Sequence, residues 1–86
     1  MPKVVIYTTN YCPFCTRAKA LLRSKSIDFE EIDVTHDERL QQEIRRLSGR
    51  RTVPQIFIDG KPVGGYDDIK ELDLAGKLDS LLGVRT

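Results

Sequence analysis

The hydrophobic pattern at the start of the chain predicts a strand, a helix and a second strand. Val4–Thr8 is a continuous β-branched and aromatic run, which is typical of a buried strand. Phe29–Asp33 has the pattern of a second strand. Between them, apolar residues recur at helical spacing, at Phe14, Ala18, Leu21 and Leu22. We therefore expect a right-handed parallel strand-helix-strand unit.

The middle of the chain carries the signals of a second helix. Thr35-His36-Asp37-Glu38 has the pattern of a capping box that opens a helix, and Gly49 marks the end of that helix. The apolar face of the predicted helix carries Leu40, Ile44 and Leu47. Because His36 lies in the predicted cap, we interpret it as a surface residue rather than as a catalytic partner of a cysteine.

The last third of the chain predicts a hairpin and a third helix. Gln55–Ile58 and Lys61–Val63 are joined by an Asp-Gly pair, and Pro62 restricts the second strand to a sheet edge. Asp67 or Asp68 is a candidate cap of the next helix, and a short turn with Leu78, Leu81 and Leu82 follows Gly76. The order β-α-β-α-β-β-α predicts an α/β domain with a four-stranded mixed sheet and flanking helices.

Composition limits the classes of function. The 86 residues suffice for one domain, which we expect to span residues 1–86. The formal net charge of +1 predicts no strong general attraction to nucleic acid or to an anionic membrane. The N-terminal apolar run is too short for a signal sequence, and no segment approaches the length of a membrane span. We expect a cytoplasmic monomer.

Both cysteines of the chain, Cys12 and Cys15, lie two residues apart in the stretch NYCPFCTR. A structural disulfide is disfavoured because a bridge that closes so short a loop stabilises the fold least. A closed zinc site is disfavoured because His36 is the sole further side chain with a usual nitrogen or sulfur ligand. We therefore predict dithiol redox chemistry without a metal.

The position of the cysteines predicts which one is the nucleophile. Pro13 suits the first position of a helix, which makes Cys12 the expected N-cap. There the unpaired amide groups and the helix dipole favour the thiolate of Cys12. Cys15 lies one turn further on, among apolar residues, and is expected to be the resolving thiol. We interpret Arg17 and Lys19 as residues of the exposed helix face rather than as contacts of the thiolate.

Three motifs in this order resemble the glutaredoxins: CPFC at Cys12–Cys15, TVP at Thr52–Pro54 and GGYDD at Gly64–Asp68. The resemblance spans nearly the whole chain and implies a thioredoxin-like fold. It implies that the protein binds glutathione and reduces protein-glutathione mixed disulfides and protein disulfides. It further implies that Cys12 attacks, that Cys15 resolves, and that Pro54 is a cis-proline, whereas the residues alone favour an ordinary trans bond.

The same resemblance implies a binding site for glutathione. Val53 offers backbone groups to its cysteinyl part, and the amides of Tyr66 and Asp67 hold its γ-glutamyl carboxylate. Binding of that carboxylate is consistent with the anion-binding character of a helix N-terminus, and Asp67 or Asp68 supplies the opposite charge for the ammonium group. On the residues of this stretch alone, a turn followed by a helix cap is the favoured interpretation.

Side chains beyond these motifs complete the expected site. Gln41 and Arg51 are candidates for the glycyl carboxylate, and Phe14 stands where tyrosine is commoner in the family. Thr9 stands where many members carry a lysine, which removes a positive charge that usually favours the thiolate and the glutathione carboxylate. Arg45, Arg46 and Arg50 are interpreted as a solvated helix end.

These observations predict a glutathione-dependent thiol-disulfide oxidoreductase. Glutathione is expected as a co-substrate, with no permanently bound cofactor, and glutathionylated or disulfide-containing proteins as partners. The alternatives are a redoxin coupled to thioredoxin reductase, an iron-sulfur cluster scaffold ligated by glutathione, and a nucleic-acid-binding protein. The last is weak because no stacking aromatic residues interleave the arginines.

Overall fold

Four strands form a mixed sheet in the order β2-β1-β3-β4. The computed structural model describes residues 2–83. Met1 and residues 84–86, which belong to the predicted 1–86 domain, lie outside the described residues. The elements are β1 (Val4–Thr8), α1 (Pro13–Ser24), β2 (Glu30–Asp33), α2 (Glu38–Ser48), β3 (Gln55–Ile58), β4 (Lys61–Gly64), α3 (Tyr66–Leu74) and α4 (Leu78–Leu82). The predicted order is confirmed, and the expected final turn forms the short helix α4.

The sheet separates two apolar clusters because alternate residues of each strand face opposite sides. On one side, Ile6 of β1 and Ile56 of β3 are buried against α1, α3 and α4, together with Leu22, Ile69 and Leu78. On the other side, Phe57 packs with Val34 and with Ile44 of α2. The sheet therefore has helices on both faces, as the pattern predicted.

Strand pairing brings the chemically interesting segments to one end of the sheet. β1 runs parallel to β2 and antiparallel to β3, with Tyr7 opposite Gln55. The end of β1 and the start of β3 therefore lie side by side. β3 is also antiparallel to β4, with Ile56 opposite Gly64, so the start of α3 lies at the same end. The three motifs, which are distant in sequence, consequently converge.

The start of α2 differs from the expectation. The helix begins at Glu38 and its N-cap is Asp37, whose Oδ1 accepts the Leu40 N–H at 2.9 Å, so Thr35 does not cap it. Aspartate is as good an N-cap as threonine. Thr35 instead accepts the Asn10 N–H at 2.9 Å and so ties the loop after β1 to the loop after β2.

The turns follow the expected chemistry. Gly49 ends α2 in the left-handed region, with φ of 73°, where glycine has no steric penalty. Asp59 and Gly60 form the hairpin turn with φ of 52° and 79°, and Pro62 lies in β4 at the sheet edge. These three predictions are confirmed.

Ion pairs join the last helices to the first. Lys25, at the C-terminal end of α1, pairs with Asp73 of α3 and, at 2.9 Å, with Asp79 of α4. Hydrogen bonds to Asp73 and Asp79 raise the pKa of Lys25. The contact orients α3 and α4 relative to the helix that carries the cysteines.

None of the helices within residues 2–83 combines the length and apolar character that crossing a bilayer requires.

Candidate active site

Cys12 caps the helix that follows β1. Its backbone is extended, with φ of −108° and ψ of 108°, and Pro13 occupies the first helical position. The Cys12 Sγ accepts the Cys15 N–H at 3.1 Å. A sulfur at this place faces a backbone donor and the positive end of the helix dipole, both of which stabilise negative charge. The expected N-cap is confirmed.

The loop before β3 lies opposite Cys12. The Cys12 Sγ is 3.6 Å from the Val53 carbonyl oxygen, which accepts the thiol hydrogen when the sulfur is protonated. The Val53-Pro54 peptide bond is cis, as the resemblance implied. Gln55 is fully buried, and its Nε2 donates to the Thr52 carbonyl at 2.9 Å, which helps to fix the loop before β3.

Cys15 has a different environment from Cys12. Its side chain is 1% exposed, and both cysteines are reduced. Burial and then the hydrogen bond with the Cys12 side chain raise the pKa of the Cys15 thiol to about 12, against smaller lowering effects from the Thr9 backbone and Lys19. Cys15 is therefore a neutral thiol at neutral pH, in agreement with a resolving rather than an attacking role.

Two cavities flank the Val53 segment. The first has a volume of about 310 Å³ and is lined by Phe14, Arg50, Thr52, Val53, Pro54, Gly65, Tyr66, Asp67 and Asp68. We call it the glutathione cavity after the six of these residues that the resemblance assigns to the binding of glutathione. The second, which we call the arginine cleft, has a volume of about 230 Å³ and is lined by Thr9, Tyr11, Val34, Gln41, Ile44, Arg45, Arg50, Arg51, Thr52 and Val53. All eight residues predicted to bind glutathione line one cavity or the other.

Comparison with protein-family models decides the family. The glutaredoxin model matches residues 4–63. The chain belongs to the glutaredoxin family. It is 54% identical to a glutaredoxin of Pseudomonas aeruginosa over 84 residues, which cover 98% of this chain and 100% of that protein. It is 50% identical to glutaredoxin 3 of Escherichia coli K12 over 82 residues, covering 95% of this chain and 99% of the relative.

Solved structures agree with this assignment. A buckwheat glutaredoxin-glutathione complex has a TM-score of 0.90 at 30% identity, covering 99% of this chain and 83% of that one. A glutaredoxin of Brucella melitensis has a TM-score of 0.86 at 52% identity, with 95% and 89% covered. The fold is therefore thioredoxin-like, and the protein is a glutathione-dependent thiol-disulfide oxidoreductase. The matches do not favour the redoxin or iron-sulfur alternatives.

Aromatic residues form one wall of the glutathione cavity in this glutaredoxin. Phe14 is 48% exposed, and its ring centroid lies 6.4 Å from that of Tyr66. The Arg17 guanidinium lies 5.3 Å from the centroid of the Phe14 ring. Lys19 donates to Glu31 at 3.0 Å. Arg17 and Lys19 thus have partners other than the Cys12 sulfur. Arg17 is exposed, as predicted, whereas Lys19 is half-buried.

The two aspartates of the GGYDD motif have different surroundings. The N-cap of α3 is Gly65, so the prediction that Asp67 or Asp68 caps this helix is wrong. Asp68 lies at the third helical position and reaches back to accept the Gly65 N–H at 2.8 Å, an arrangement that suits the third residue of a helix. Asp68 also pairs with both terminal nitrogens of Arg50. Asp67 is exposed and lines the glutathione cavity.

The electrostatics of Asp68 follow from these contacts. The hydrogen bond from Arg50 lowers the pKa of the Asp68 carboxyl, against a smaller opposing effect of burial, and the Gly65 N–H lowers it further. Asp68 is therefore ionised at neutral pH, and its carboxylate already has partners within the protein, namely Arg50 and the Gly65 N–H. Sequence reasoning treated the two aspartates alike because this Arg50 contact spans 18 positions.

The predicted partners of the glycyl carboxylate lie in the arginine cleft. The Gln41 Nε2 donates to the Val34 carbonyl at 2.6 Å, which orients the amide at the cleft wall. Arg51 is exposed and, within residues 2–83, has no carboxylate within 4.0 Å. His36 is exposed, which confirms its interpretation as a surface residue.

Tyr11 and Arg45 are among the lining residues that were not assigned to the site from the sequence. Tyr11, directly before the nucleophile, is 77% exposed and lines the arginine cleft. Arg45 lines it too, although the sequence interpretation placed it at a solvated helix end. Its position one turn after Gln41 is the signal that indicates the shared face. Within residues 2–83, no group of three or more His, Cys, Asp or Glu side chains is placed to hold a metal ion.

Proposed function

We propose that Cys12 is the attacking thiolate and Cys15 the resolving thiol of this glutaredoxin. The proposal rests on the position of the Cys12 Sγ at the N-terminus of α1, 3.1 Å from the Cys15 backbone nitrogen. Cys12 is partly exposed, whereas Cys15 is buried and protonated. The more accessible sulfur is thus also the one whose anion the helix stabilises.

The one-thiol reaction exchanges one disulfide bond for another. The Cys12 thiolate attacks the glutathione sulfur of a protein-glutathione mixed disulfide, and the target cysteine leaves as a thiolate. Cys12 is then disulfide-linked to glutathione. A second glutathione, as thiolate, attacks the glutathione sulfur of that bond, which releases oxidised glutathione and restores the Cys12 thiolate.

The two-thiol reaction uses Cys15. After Cys12 has attacked a protein disulfide, Cys15 loses its proton and attacks the Cys12 sulfur. The Cys12-Cys15 disulfide forms and the target leaves with both cysteines reduced. Two molecules of glutathione then reduce the enzyme and become oxidised glutathione.

The glutathione cavity accommodates the cysteinyl and γ-glutamyl parts of the tripeptide. Backbone groups of Val53, in the loop that ends at Pro54, pair with the cysteinyl residue. The amides of Tyr66 and Asp67, at the N-terminus of α3, hold the γ-glutamyl carboxylate. The Asp67 carboxylate meets the ammonium, because the carboxylate of Asp68 is already engaged. The Phe14 ring lines the same cavity next to that of Tyr66.

The glycyl carboxylate lies in the arginine cleft, on the other side of Val53. Arg51 supplies the positive charge there. Gln41, at the same wall, exchanges one of the Nε2 bonds that it makes to the Val34 and Thr35 carbonyls for a bond to the carboxylate. This arrangement also accounts for Thr9 in place of the family's commoner lysine, since Arg51 provides a cation on the same cleft. The glutathione complex of the similar buckwheat protein supports binding of the tripeptide.

The wider assignments follow from this chemistry. Glutathione acts as a diffusing co-substrate, with no cofactor held permanently, and the protein partners are glutathionylated or disulfide-containing proteins. Residues 1–86 form one domain, which works as a monomer. It works in the cytoplasm, where a pool of reduced glutathione keeps thiols reduced.

Single-cysteine variants test the assignment. We expect Cys12→Ser to lose activity on a protein-glutathione mixed disulfide, because serine supplies no thiolate at pH 7. We expect Cys15→Ser to retain this activity but to lose the two-thiol reduction of a protein disulfide. The measurement is glutathione-dependent NADPH oxidation coupled through glutathione reductase, with each substrate. Equal activity of Cys12→Ser and the wild type would reverse the assignment.

A further inference from the structure

We propose that the arginine cleft docks an acidic segment of the target protein, next to the target's disulfide-linked cysteine. This inference rests on the proposed function and names the class of protein that the enzyme prefers. It concerns Arg45 and Tyr11, which the binding of glutathione does not use.

The charged side chains that line the arginine cleft are all positive. Three arginines line it, and no aspartate or glutamate does. Arg50 is neutralised by Asp68, but Arg45 and Arg51 have no carboxylate within 4.0 Å among residues 2–83. Since the formal charge of the whole chain is only +1, this is a local concentration of positive charge. Such a cleft attracts carboxylates and repels ammonium groups.

Glutathione leaves part of this charge unused. Its single glycyl carboxylate is matched by Arg51. Arg45 lies one helical turn beyond Gln41 on α2 and lines the same cleft. A second carboxylate can therefore pair with Arg45, and the target chain attached to the mixed disulfide is the molecule that enters the site together with glutathione.

The apolar surface near Cys12 favours a polypeptide as the occupant. Tyr11 is 77% exposed next to the nucleophile, and its ring lines the cleft together with the arginines. Tyrosine and arginine are the residue types that protein interfaces concentrate. Nucleic acid fits less well, because single-stranded binding sites use several aromatic rings along a basic groove.

The two sides of Val53 carry opposite charges. The α2 side of Val53 carries Arg45 and Arg51, whereas the start of α3 exposes the carboxylate of Asp67. A target with acidic residues on the α2 side of its cysteine is therefore attracted, and one with basic residues there is repelled.

Peptide substrates test this proposal. Three peptides carry one glutathionylated cysteine and differ in their flanking residues, which are glutamates, glutamines or lysines. For each enzyme, kcat/KM on each peptide is divided by kcat/KM on the mixed disulfide of glutathione and 2-mercaptoethanol. Exposed ion pairs are worth little, so we expect the wild type to prefer the glutamate peptide over the glutamine peptide by about two- to fivefold. The preference should shrink as salt is raised.

Matched variants locate the preference. Arg45→Glu should invert the order, so that the lysine peptide is reduced faster than the glutamate peptide, and Arg45→Gln should remove most of the preference. Arg39→Glu makes the same charge change on α2 but at a residue outside the arginine cleft. It should keep the wild-type order. Circular dichroism checks that all three variants fold.

Defined results would overturn the proposal. They are a wild type without a flank preference, an Arg45→Glu enzyme with an unchanged order, or an Arg39→Glu enzyme that inverts like Arg45→Glu. Binding of a labelled oligonucleotide that Arg45→Glu abolishes, with no peptide preference, would assign the cleft to nucleic acid instead. Activity on the small mixed disulfide reports the proposed function separately, since it contains no flanking peptide.

Discussion

We expect the Cys12→Ser variant, whose single thiol is Cys15, to be alkylated by iodoacetamide far more slowly than a free thiol at the same pH. The reason is the buried position of Cys15, which is 1% exposed and whose thiol has its pKa raised to about 12. Iodoacetamide reacts with the thiolate. Burial is the largest cause of the raised pKa, and it persists when serine replaces Cys12.

The magnitude follows from the ionised fraction. At pH 8, a thiol with a pKa of about 12 is ionised to about one part in ten thousand, whereas an ordinary cysteine is ionised to about a quarter. The rarer thiolate is also the more nucleophilic one, which recovers a factor of about 25 to 60. The net slowing is therefore at most about fifty- to a hundredfold before any steric protection, because the contributions of the Cys12 side chain to the raised pKa are lost in this variant.

The pH profile separates ionisation from steric protection. Alkylation of Cys12→Ser is followed by mass spectrometry from pH 7 to pH 10, with the same variant in guanidinium chloride as the accessible control. If Cys15 is held neutral, the rate rises about tenfold for each pH unit without levelling off in this range. A rate that levels off near pH 9 would show an ordinary thiol that is merely covered. It would refute the assignment of Cys15 as a protonated resolving residue.

Two further predictions concern stability. Leu22→Ala should lower the free energy of unfolding by about 2–5 kcal/mol, because Leu22 is fully buried in the core cluster between α1 and the sheet and alanine leaves a cavity. Urea unfolding measures this change, and a loss below about 1 kcal/mol would contradict the packing. Asp68→Ala should cost about 1 kcal/mol at pH 7 through the lost hydrogen bond to the Gly65 N–H. Because Arg50 lowers the pKa of folded Asp68, its stabilisation is present above the unfolded pKa and disappears as pH falls through the folded value. The stability of the wild type should therefore approach that of the variant as the pH falls below the ordinary carboxyl pKa of 3.8, and a difference that stays constant down to the lowest pH at which both proteins fold would argue against the ion pair.

Local signals in the sequence account for most of the secondary structure. The periodicity of apolar residues, the glycine after α2 and the Asp-Gly turn act over a few residues, so they predict elements without knowledge of the rest of the chain. The start of α2 was misassigned because Thr35 and Asp37 are both suitable caps. Thr35 accepts a hydrogen bond from the backbone of Asn10, 25 positions away, while Asp37 is the N-cap of α2. A competition of this kind is decided by tertiary contacts.

The sequence alone determined that Cys12 lies at the N-terminus of a helix, because a strand, a proline and an amphipathic segment in succession are a local pattern. The tertiary structure decided which charges are available around that sulfur. Asp68 is engaged by Arg50, whereas Arg45 and Arg51 are left on one cleft with Tyr11. Such pairings depend on how β3, α2 and α3 pack together, and electrostatic interactions between residues distant in sequence leave no periodic signal along the chain.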